Sequence, residues 1–207
     1  MILALVLAAY LLGSLSGSLL LGRWRGVDIR TLGSGNAGGT NALRTQGIAF
    51  ALVTVVVDVG KGALAAWLAV RQLPPGADPA WAYGCGLAAV AGHVWPVFHG
   101  FRGGKGAATL VGALAVLWPA GLLVVLASWL LVLAVSGYVG LSTVLAASGL
   151  VPLALFTGGG WRLAFAAGAA LLLWATHRAN LARLRAGTEP RYERARVLGR
   201  LLSRRRP

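Results

Sequence analysis

Two short stretches of this sequence combine residue types that bind phosphate. The first, Gly33–Arg44, contains four glycines, two hydroxyl side chains, two asparagines and a terminal arginine. Glycines let successive backbone N–H groups approach an anion, and an arginine grips two phosphate oxygens at once. A flexible linker would also be rich in glycine, but it has no need of two asparagines and an arginine. The candidate ligands in this loop are Ser34, Gly35, Asn36, Thr40, Asn41 and Arg44.

The second stretch ends in Gly103-Gly104-Lys105-Gly106 and precedes a long apolar run. This pattern indicates a phosphate loop followed by a helix whose N-terminal N–H groups point at the anion. It is not a Walker A loop, because His99 stands where that motif has its first glycine and Gly106 replaces the hydroxyl residue that holds magnesium. ATP binding is therefore disfavoured. By itself the pattern is weak, since a membrane loop with a snorkelling lysine looks the same.

Other polar residues stand within or beside apolar runs. Asp58 and Lys61 lie inside one run, so they are expected to face the protein interior or water. Three residues apart on a helix, they can pair, either only to orient helices or so that Asp58 holds Lys61 or Arg44 in place. Further candidates at the ends of apolar runs are Ser142, His177, Arg178 and Asn180.

The acidic residues exclude several kinds of active site. The whole set is Asp28, Asp58, Asp78, Glu189 and Glu193. Only Asp58 stands near the proposed loops, so a pair of catalytic carboxylates is not expected. We find no Ser-His-Asp triad and no metal-ligand cluster, and the lone Cys85 excludes a disulfide. We therefore predict neither a metal nor a cofactor.

The composition is that of a membrane protein. The 207 residues are 57% hydrophobic and 12% charged, with a mean hydropathy of +0.75. A soluble domain of this length could not bury so much apolar surface. The first run lacks a basic segment before it, so we interpret it as a span and not as a signal peptide. The apolar runs cover Ile2–Gly22, Ile48–Val70, Ala80–Phe98, Ala107–Val135, Val139–Phe156 and Trp161–His177.

The arginines predict how the chain crosses the membrane. A net charge of +14 would suggest nucleic acid in a soluble protein, but here the arginines follow the positive-inside rule. If residues 107–135 cross once, the basic loop Arg23–Gln46 and the basic tail lie on opposite sides. If they turn near Trp118–Pro119, where proline breaks the helix, both lie in the cytoplasm.

We therefore predict an all-α polytopic membrane protein with seven transmembrane helices, some of them short. Its N-terminus is expected outside and its C-terminus in the cytoplasm. A transmembrane domain, 1–178, would be followed by a basic cytoplasmic tail, 179–207. We expect the first part of this tail to form a short helix on anionic headgroups and its end to be disordered.

Several motifs, taken together and in order, resemble one family. Gly33–Arg44 resembles the GSGNxGxTNxxR motif of the bacterial acyl-phosphate-dependent glycerol-3-phosphate acyltransferases. Gly92–Thr109, which reads GHVWPVFHGFRGGKGAAT, resembles their GHxxPVFxxFxGGKGxAT motif, and Asp58–Gly62 resembles their DxxKG element. Ser142, the segment 177–180 and the segment 187–190 also match. The departures, such as Gly39 for a usual alanine and Arg102 for a common lysine, remove no phosphate-binding group.

The resemblance implies transfer of a fatty acyl group from acyl phosphate to the 1-hydroxyl of glycerol 3-phosphate, giving lysophosphatidic acid and phosphate. It implies a multi-pass protein of the bacterial inner membrane that works with membrane lipids, without nucleic acid or cofactor, and as a monomer. The proton acceptor would be His177 or a substrate phosphate. The implied catalytic residues are Ser34, Lys105 and His177; the substrate-binding residues are Gly35, Asn36, Thr40, Asn41, Arg44, Gly103, Gly104, Ser142 and Asn180; the supporting residues are Asp58, Lys61 and His93.

Two other classes of function compete with this interpretation. A transporter or channel for an organic anion would place polar sites near the bilayer midplane and show internal repeats. Here the polar clusters fall on one face, and no repeat of fixed period is found. A non-enzymatic membrane scaffold with a lipid-binding tail leaves the first loop unexplained.

The predicted turn near Trp118 is testable with a topology reporter. A reporter fused after Trp118 should be found on the outer side of the membrane, because the turn lies at the outer end of the two short helices. A cytoplasmic reporter would contradict the seven-span arrangement.

Overall fold

The computed structural model describes residues 1–203, and within that range the elements are helical, which confirms the all-α prediction. Disorder was predicted for the end of the tail, where the structure has a helix at Val197–Ser203; residues 204–207 lie outside the described range. The chain divides into two compact units, Met1–Pro119 and a second that begins at Ala120. The α-helices are α1 Ile2–Gly13, α2 Gly17–Trp24, α3 Gly39–Gln46, α4 Ile48–Gln72, α5 Ala80–Val94, α6 Ala107–Leu117, α7 Pro119–Ser136, α8 Val139–Ser148, α9 Leu150–Thr157, α10 Gly160–Thr176, α11 Arg178–Arg185 and α12 Val197–Ser203. Short 3₁₀ turns cover Ile29–Thr31, Val97–His99 and Glu193–Ala195.

Three stretches of helix are long and apolar enough to cross a membrane. They are α4, α7 and the consecutive pair α8–α9, Val139–Thr157. Helices α1 and α2 qualify as a fourth span if the bent pair is counted as one, whereas α6 and α10 are apolar but shorter. The helix boundary at Trp118 is as predicted. The count of seven spans and the orientation of the termini stay predictions.

The first apolar run departs from the prediction of one continuous span, Ile2–Gly22. It breaks between α1 and α2, and the two helices meet at a bend of 48°. Ser16 has extended backbone angles, φ −82° and ψ 119°, which end the α-helical path. Ser14, Ser16 and Ser18 are all fully buried around this break. Hydropathy alone did not reveal the break, because three small hydroxyl residues hardly lower the mean of an apolar run.

In the first unit, α4 is the central helix and packs against α1, α2, α3, α5 and α6. Its closest approach, to α6, depends on a reciprocal pair of glycines. A Cβ atom at Gly62 would overlap the carbonyl oxygen of Thr109, and one at Gly112 would overlap that of Val59. Small residues that allow such backbone contact are typical of helix packing in membranes. The crossing brings the first turns of α6, just after the glycine–lysine loop, against the charged turn of α4.

In the second unit, α10 packs against α8 and α9, and α11 packs against α8. Helix α11 occupies the start of the basic tail, where a short helix was predicted. The chain then returns to the α7–α8 junction, where the Tyr192 N–H donates to the carbonyl of Gly137 at 2.8 Å. The guanidinium of Arg191 lies 4.7 Å from the ring centre of Tyr138. The placement of this tail on anionic headgroups stays a prediction.

Two glycines of α4, Gly60 and Gly62, provide a matched test of the α4–α6 contact. Gly62→Ala should lower the free energy of unfolding by about 1–3 kcal/mol, because its methyl group meets backbone that cannot rotate away. Gly60→Ala adds the same methyl where nothing lies within 4 Å, so it should be neutral or stabilising by up to about 1 kcal/mol. Thermal unfolding in detergent would measure both, and equal midpoints would contradict this account of the crossing.

Candidate active site

The buried side chain of Asn41, in the first turn of α3, holds the first glycine loop in its conformation. This side chain is 2% exposed. Its amide group donates to the carbonyls of Ile29 at 3.1 Å and Leu32 at 3.0 Å, and its oxygen accepts from the Ser34 N–H at 2.9 Å. These bonds fix the turn that carries Ser34 and Gly35, both of which are exposed. Asn41 therefore has a loop-shaping role, and its predicted contact with substrate is untested.

The far end of the same loop is anchored to α2. The hydroxyl of Ser18 donates to the carbonyl of Ala37 at 3.0 Å, and both residues are fully buried. Asn36 is half-buried, and its amide lies beside Gly38. Thr40 and Arg44, on α3, are exposed. The loop is thus held on its inner side, while several groups predicted to bind phosphate face outward.

Arg30, which is not among the residues predicted from the sequence, connects the two loops. Its Nη1 donates to the carbonyl of His99 at 2.9 Å and to that of Arg102 at 3.1 Å. Its Nε and Nη2 hold Asp28, with a shortest distance of 2.8 Å. The hydrogen bond from Arg30 lowers the pKa of Asp28 to about 2, so this carboxylate stays ionised at neutral pH. The only local signal of this role in the sequence is an Asp-x-Arg pattern, Asp28–Arg30, just before the first glycine loop.

The second loop folds back onto the end of α5. The N–H groups of Gly103 and Gly104 donate to the carbonyls of Val94 and His93, each at 3.1 Å. A Cβ atom at Gly104 would overlap the Nε2 atom of the His93 ring, so glycine is required there. Lys105 follows directly and is half-buried, immediately before α6. The position of Lys105 therefore depends on the end of α5.

The buried charges of α4 form a cluster with His93 beneath this loop. The Nζ of Lys61 lies 2.9 Å from Asp58 Oδ1, 2.8 Å from His93 Nδ1 and 2.9 Å from the carbonyl oxygen of Leu15. Asp58 Oδ1 also accepts from the N–H of Gly17 at 3.1 Å. Of the two partners considered for Asp58, the structure therefore pairs it with Lys61. Arg44 is exposed on α3.

The second unit holds the remaining predicted residues. Ser142 is fully buried in α8, and its hydroxyl donates to the carbonyl of Tyr138 at 2.8 Å. His177 is 5% exposed at the end of α10, with Nδ1 at 2.8 Å from the carbonyl oxygen of Leu173. A carbonyl accepts only, so Nδ1 carries a proton and Nε2 is the acceptor nitrogen of the neutral ring. Asn180, on α11, packs against Gly140 of α8.

Glu189 orients Asn180 and is a second residue that the sequence analysis did not select. Its Oε1 accepts from the Asn180 amide, and its Oε2 lies 2.7 Å from Arg183 Nε. The Glu189 side chain is only 6% exposed. Its backbone N–H also donates to the Arg183 carbonyl, which closes the chain back onto α11. The only sequence signal was the match of the segment 187–190 to the family pattern, which gave it no role.

The first unit is suited to binding anions and has no spare carboxylate. Asp28 is held by Arg30, Asp58 by Lys61, and Asp78 accepts the backbone N–H of Ala80 at the start of α5. Hydroxyl and cationic groups on two joined loops can bind phosphate and stabilise a developing oxyanion. Because Asp28 and Asp58 are each paired with a cation, which lowers the proton affinity of a carboxylate, general-base catalysis by either of them is disfavoured.

Comparison with known proteins agrees with this chemistry. Residues 3–187 match the family model for glycerol-3-phosphate acyltransferase. The chain is 46% identical to a glycerol-3-phosphate acyltransferase of Synechococcus sp. (strain CC9902), over 91% of this chain and 94% of the relative. It is 45% identical to one of Thioalkalivibrio sulfidiphilus (strain HL-EbGR7), over 91% and 92%.

Two crystal structures are also similar, both of PlsY (YgiH), an integral membrane glycerol 3-phosphate acyltransferase. The glycerol 3-phosphate form has a TM-score of 0.86 and 35% identity, covering 92% of this chain and 95% of that chain. The lysophosphatidic acid form has a TM-score of 0.85 and 35% identity, covering 95% and 98%. Because the family model matches most of this chain, this integral membrane protein belongs to the glycerol-3-phosphate acyltransferase family.

Proposed function

We propose that this chain transfers a fatty acyl group from acyl phosphate to the 1-hydroxyl of glycerol 3-phosphate, releasing lysophosphatidic acid and inorganic phosphate. One observation carries the choice of donor. The first unit joins two phosphate-type loops through Arg30, while its carboxylates are all engaged. Two such loops suit two substrates that each bear a phosphate.

Acyl phosphate suits a site of this kind because it is already activated. The hydroxyl oxygen attacks the acyl carbon, the new C–O ester bond forms, and the bond from that carbon to the phosphate oxygen breaks. Phosphate leaves with the electron pair, so no enzyme nucleophile is needed. Positioning two reactants can by itself supply roughly 7–11 kcal/mol of barrier lowering. The protein then has to hold phosphates, stabilise the oxyanion and accept one proton.

In the first unit, we assign the acyl phosphate to Ser34, Lys105 and the surrounding backbone N–H groups. Gly35, Gly103 and Gly104 are assigned to the same loops, where their own N–H groups donate to the carbonyls of Leu32, Val94 and His93. The exposed hydroxyl of Ser34 on a turn fixed by Asn41 supports this role, since a preorganised donor stabilises an oxyanion without reorganisation. Arg44 and Lys105 are assigned to the phosphate of glycerol 3-phosphate. Asn36 and Thr40 complete the loop, and Asn41 acts by shaping it.

In the second unit, we assign Ser142, His177 and Asn180 to glycerol 3-phosphate. Nδ1 of His177 lies 2.8 Å from the Leu173 carbonyl oxygen, so we assign the role of proton or hydrogen-bond acceptor to the other ring nitrogen, Nε2. Two proton acceptors therefore remain under consideration, His177 and a phosphate oxygen of a substrate. The Glu189 carboxylate fixes the amide of Asn180, which supports a binding role for that asparagine.

We also infer the setting in which the enzyme works. The protein would span the bacterial inner membrane seven times, with its N-terminus outside and a basic cytoplasmic tail from residue 179. It would act as a monomer among membrane lipids, without cofactor or nucleic acid. The acyl chain of the donor would lie between helices in the bilayer.

Phosphate release from purified protein tests the proposed reaction. Given palmitoyl phosphate in detergent, the protein should release phosphate only when glycerol 3-phosphate is present, with lysophosphatidic acid formed in equal amount. Glycerol in place of glycerol 3-phosphate tests whether the acceptor must carry a phosphate. Palmitoyl-CoA in place of palmitoyl phosphate tests whether the donor must be an acyl phosphate. Folded protein that releases no phosphate would overturn the proposal and favour a transporter, which flux in proteoliposomes would then reveal.

The two catalytic assignments predict different kinetic effects. Ser34→Ala should lower kcat by about 10²–10³-fold, the usual effect of removing one oxyanion donor. His177→Gln should lower kcat by roughly 10²–10⁴-fold if His177 is the base. If a substrate phosphate accepts the proton, His177→Gln should mainly raise KM for glycerol 3-phosphate and keep kcat within about tenfold. Full activity of Ser34→Ala would remove Ser34 from the scheme.

A further inference from the structure

The ammonium group of Lys61 uses each of its three hydrogens on a different part of the first unit. Its acceptors are the carbonyl of Leu15 in the break, Asp58 one turn earlier on α4, and Nδ1 of His93 at the end of α5. The lysine side chain is 4% exposed. An ammonium has three donors and no acceptor, so these contacts satisfy it fully.

Lys61 and its partner Asp58 together satisfy the backbone groups at the break between α1 and α2. A broken helix leaves carbonyl and N–H groups without their helical partners, and lipid offers none. Lys61 donates to the carbonyl of Leu15, while Asp58 accepts from the N–H of Gly17 on the other side of Ser16. Both ends of the break are therefore bound by one charged turn of α4.

The third contact fixes the state and orientation of His93. Nδ1 of His93 lies 2.8 Å from Nζ of Lys61 and 3.5 Å from Oδ1 of Asp58. Because a charged lysine only donates and is the nearer group, we assign Nδ1 as its acceptor, which places the proton of the neutral ring on Nε2. That Nε2 atom occupies the place that a Cβ at Gly104 would take, and the His93 carbonyl accepts the Gly104 N–H at 3.1 Å. The imidazole thus packs directly against the backbone of the loop before Lys105.

We propose that Lys61 is a positioning residue for phosphate binding, acting through His93 on the loop Gly103–Lys105. This role adds a positioning residue to the proposed function. It rests on the proposed function only for the identity of the phosphate-bearing substrate. A buried ion pair that merely joined helices could be replaced by apolar side chains at little or no cost. Here the Asp58–Lys61 pair also determines the tautomer of the His93 ring. Through that ring it positions a loop that neither Asp58 nor Lys61 contacts directly. Lys61 contacts no substrate in this scheme, so it is not a catalytic residue.

The test is a double-mutant cycle read by binding of inorganic phosphate. Lys61→Met keeps the length of the side chain without the donors, and His93→Phe keeps a ring without nitrogen. Each should weaken phosphate binding about tenfold or more, a change of roughly 1.4 kcal/mol. The double variant should be no weaker than either single one, because the two residues act in series. His93→Gln, whose amide oxygen can accept from Lys61, should retain most of the binding.

Thr54→Val is the matched control, since Thr54 is a buried polar residue of α4 whose hydroxyl bonds only within its own helix, to the Phe50 carbonyl at 2.8 Å. It should leave phosphate binding unchanged. The cycle is repeated in an Asp58→Asn background, where removing Lys61 leaves no unpaired carboxylate and the protein has a better prospect of folding.

Three outcomes separate the alternatives. Non-additive losses of phosphate binding at equal unfolding midpoints support the proposal. Additive losses, or losses that follow the unfolding midpoint while folded protein binds phosphate normally, overturn it and leave Lys61 as a structural residue. Phosphate binding is measured without turnover by calorimetry. A wild-type protein that binds phosphate but makes no lysophosphatidic acid would therefore defeat the proposed function and leave this test intact.

Discussion

A helix broken within a bilayer creates a problem that the surrounding lipid cannot solve, because lipid tails neither donate nor accept hydrogen bonds. In this chain the problem arises at Ser16, and the charged turn of α4 solves it by supplying a donor for Leu15 and an acceptor for Gly17. Burying an ion pair is expensive, and only close geometry with further hydrogen bonds offsets the cost. Once Asp58 and Lys61 are committed to the break, α1, α2 and α4 have a fixed register.

The same break also sets both glycine loops. Ser14, at its start, accepts a hydrogen bond from the Val97 N–H at 3.3 Å, and Ser18, just after it, donates to the Ala37 carbonyl at 3.0 Å. Arg30 then ties the two loops directly to each other. Catalysis by positioning depends on donors that need not reorganise as charge develops. The buried side of the two loops is held by hydrogen bonds while their exposed side carries donors, which meets that requirement. The hydrogen bonds at the break are among those that hold the buried side.

Local patterns explain which of these features could be predicted from sequence. The spacing of Asp58 and Lys61, the glycine loops and the helix boundary before Pro119 are each encoded within a few residues. Asn41 is different, because nothing local distinguishes an asparagine that points into a loop from one that points out of it. Its direction depends on carbonyls of Ile29 and Leu32, which only the folded turn brings within reach. The break at Ser16 is hidden for the same reason, since its partners lie on α4.

The engaged carboxylates of the first unit bear on why acyl phosphate is the donor proposed for this chain. A reaction that needed a strong general base would require a carboxylate or imidazole free to change its protonation state. In the first unit, Asp28 and Asp58 are paired with cations, and Nδ1 of His93 lies 2.8 Å from Nζ of Lys61. These groups are committed to interactions that hold the structure in shape. An acyl donor that carries its own good leaving group lowers the demand on the base, so a site built from donors and cations would be sufficient for the proposed reaction. The proton would then need only a weak acceptor, the role proposed for either His177 or a phosphate oxygen.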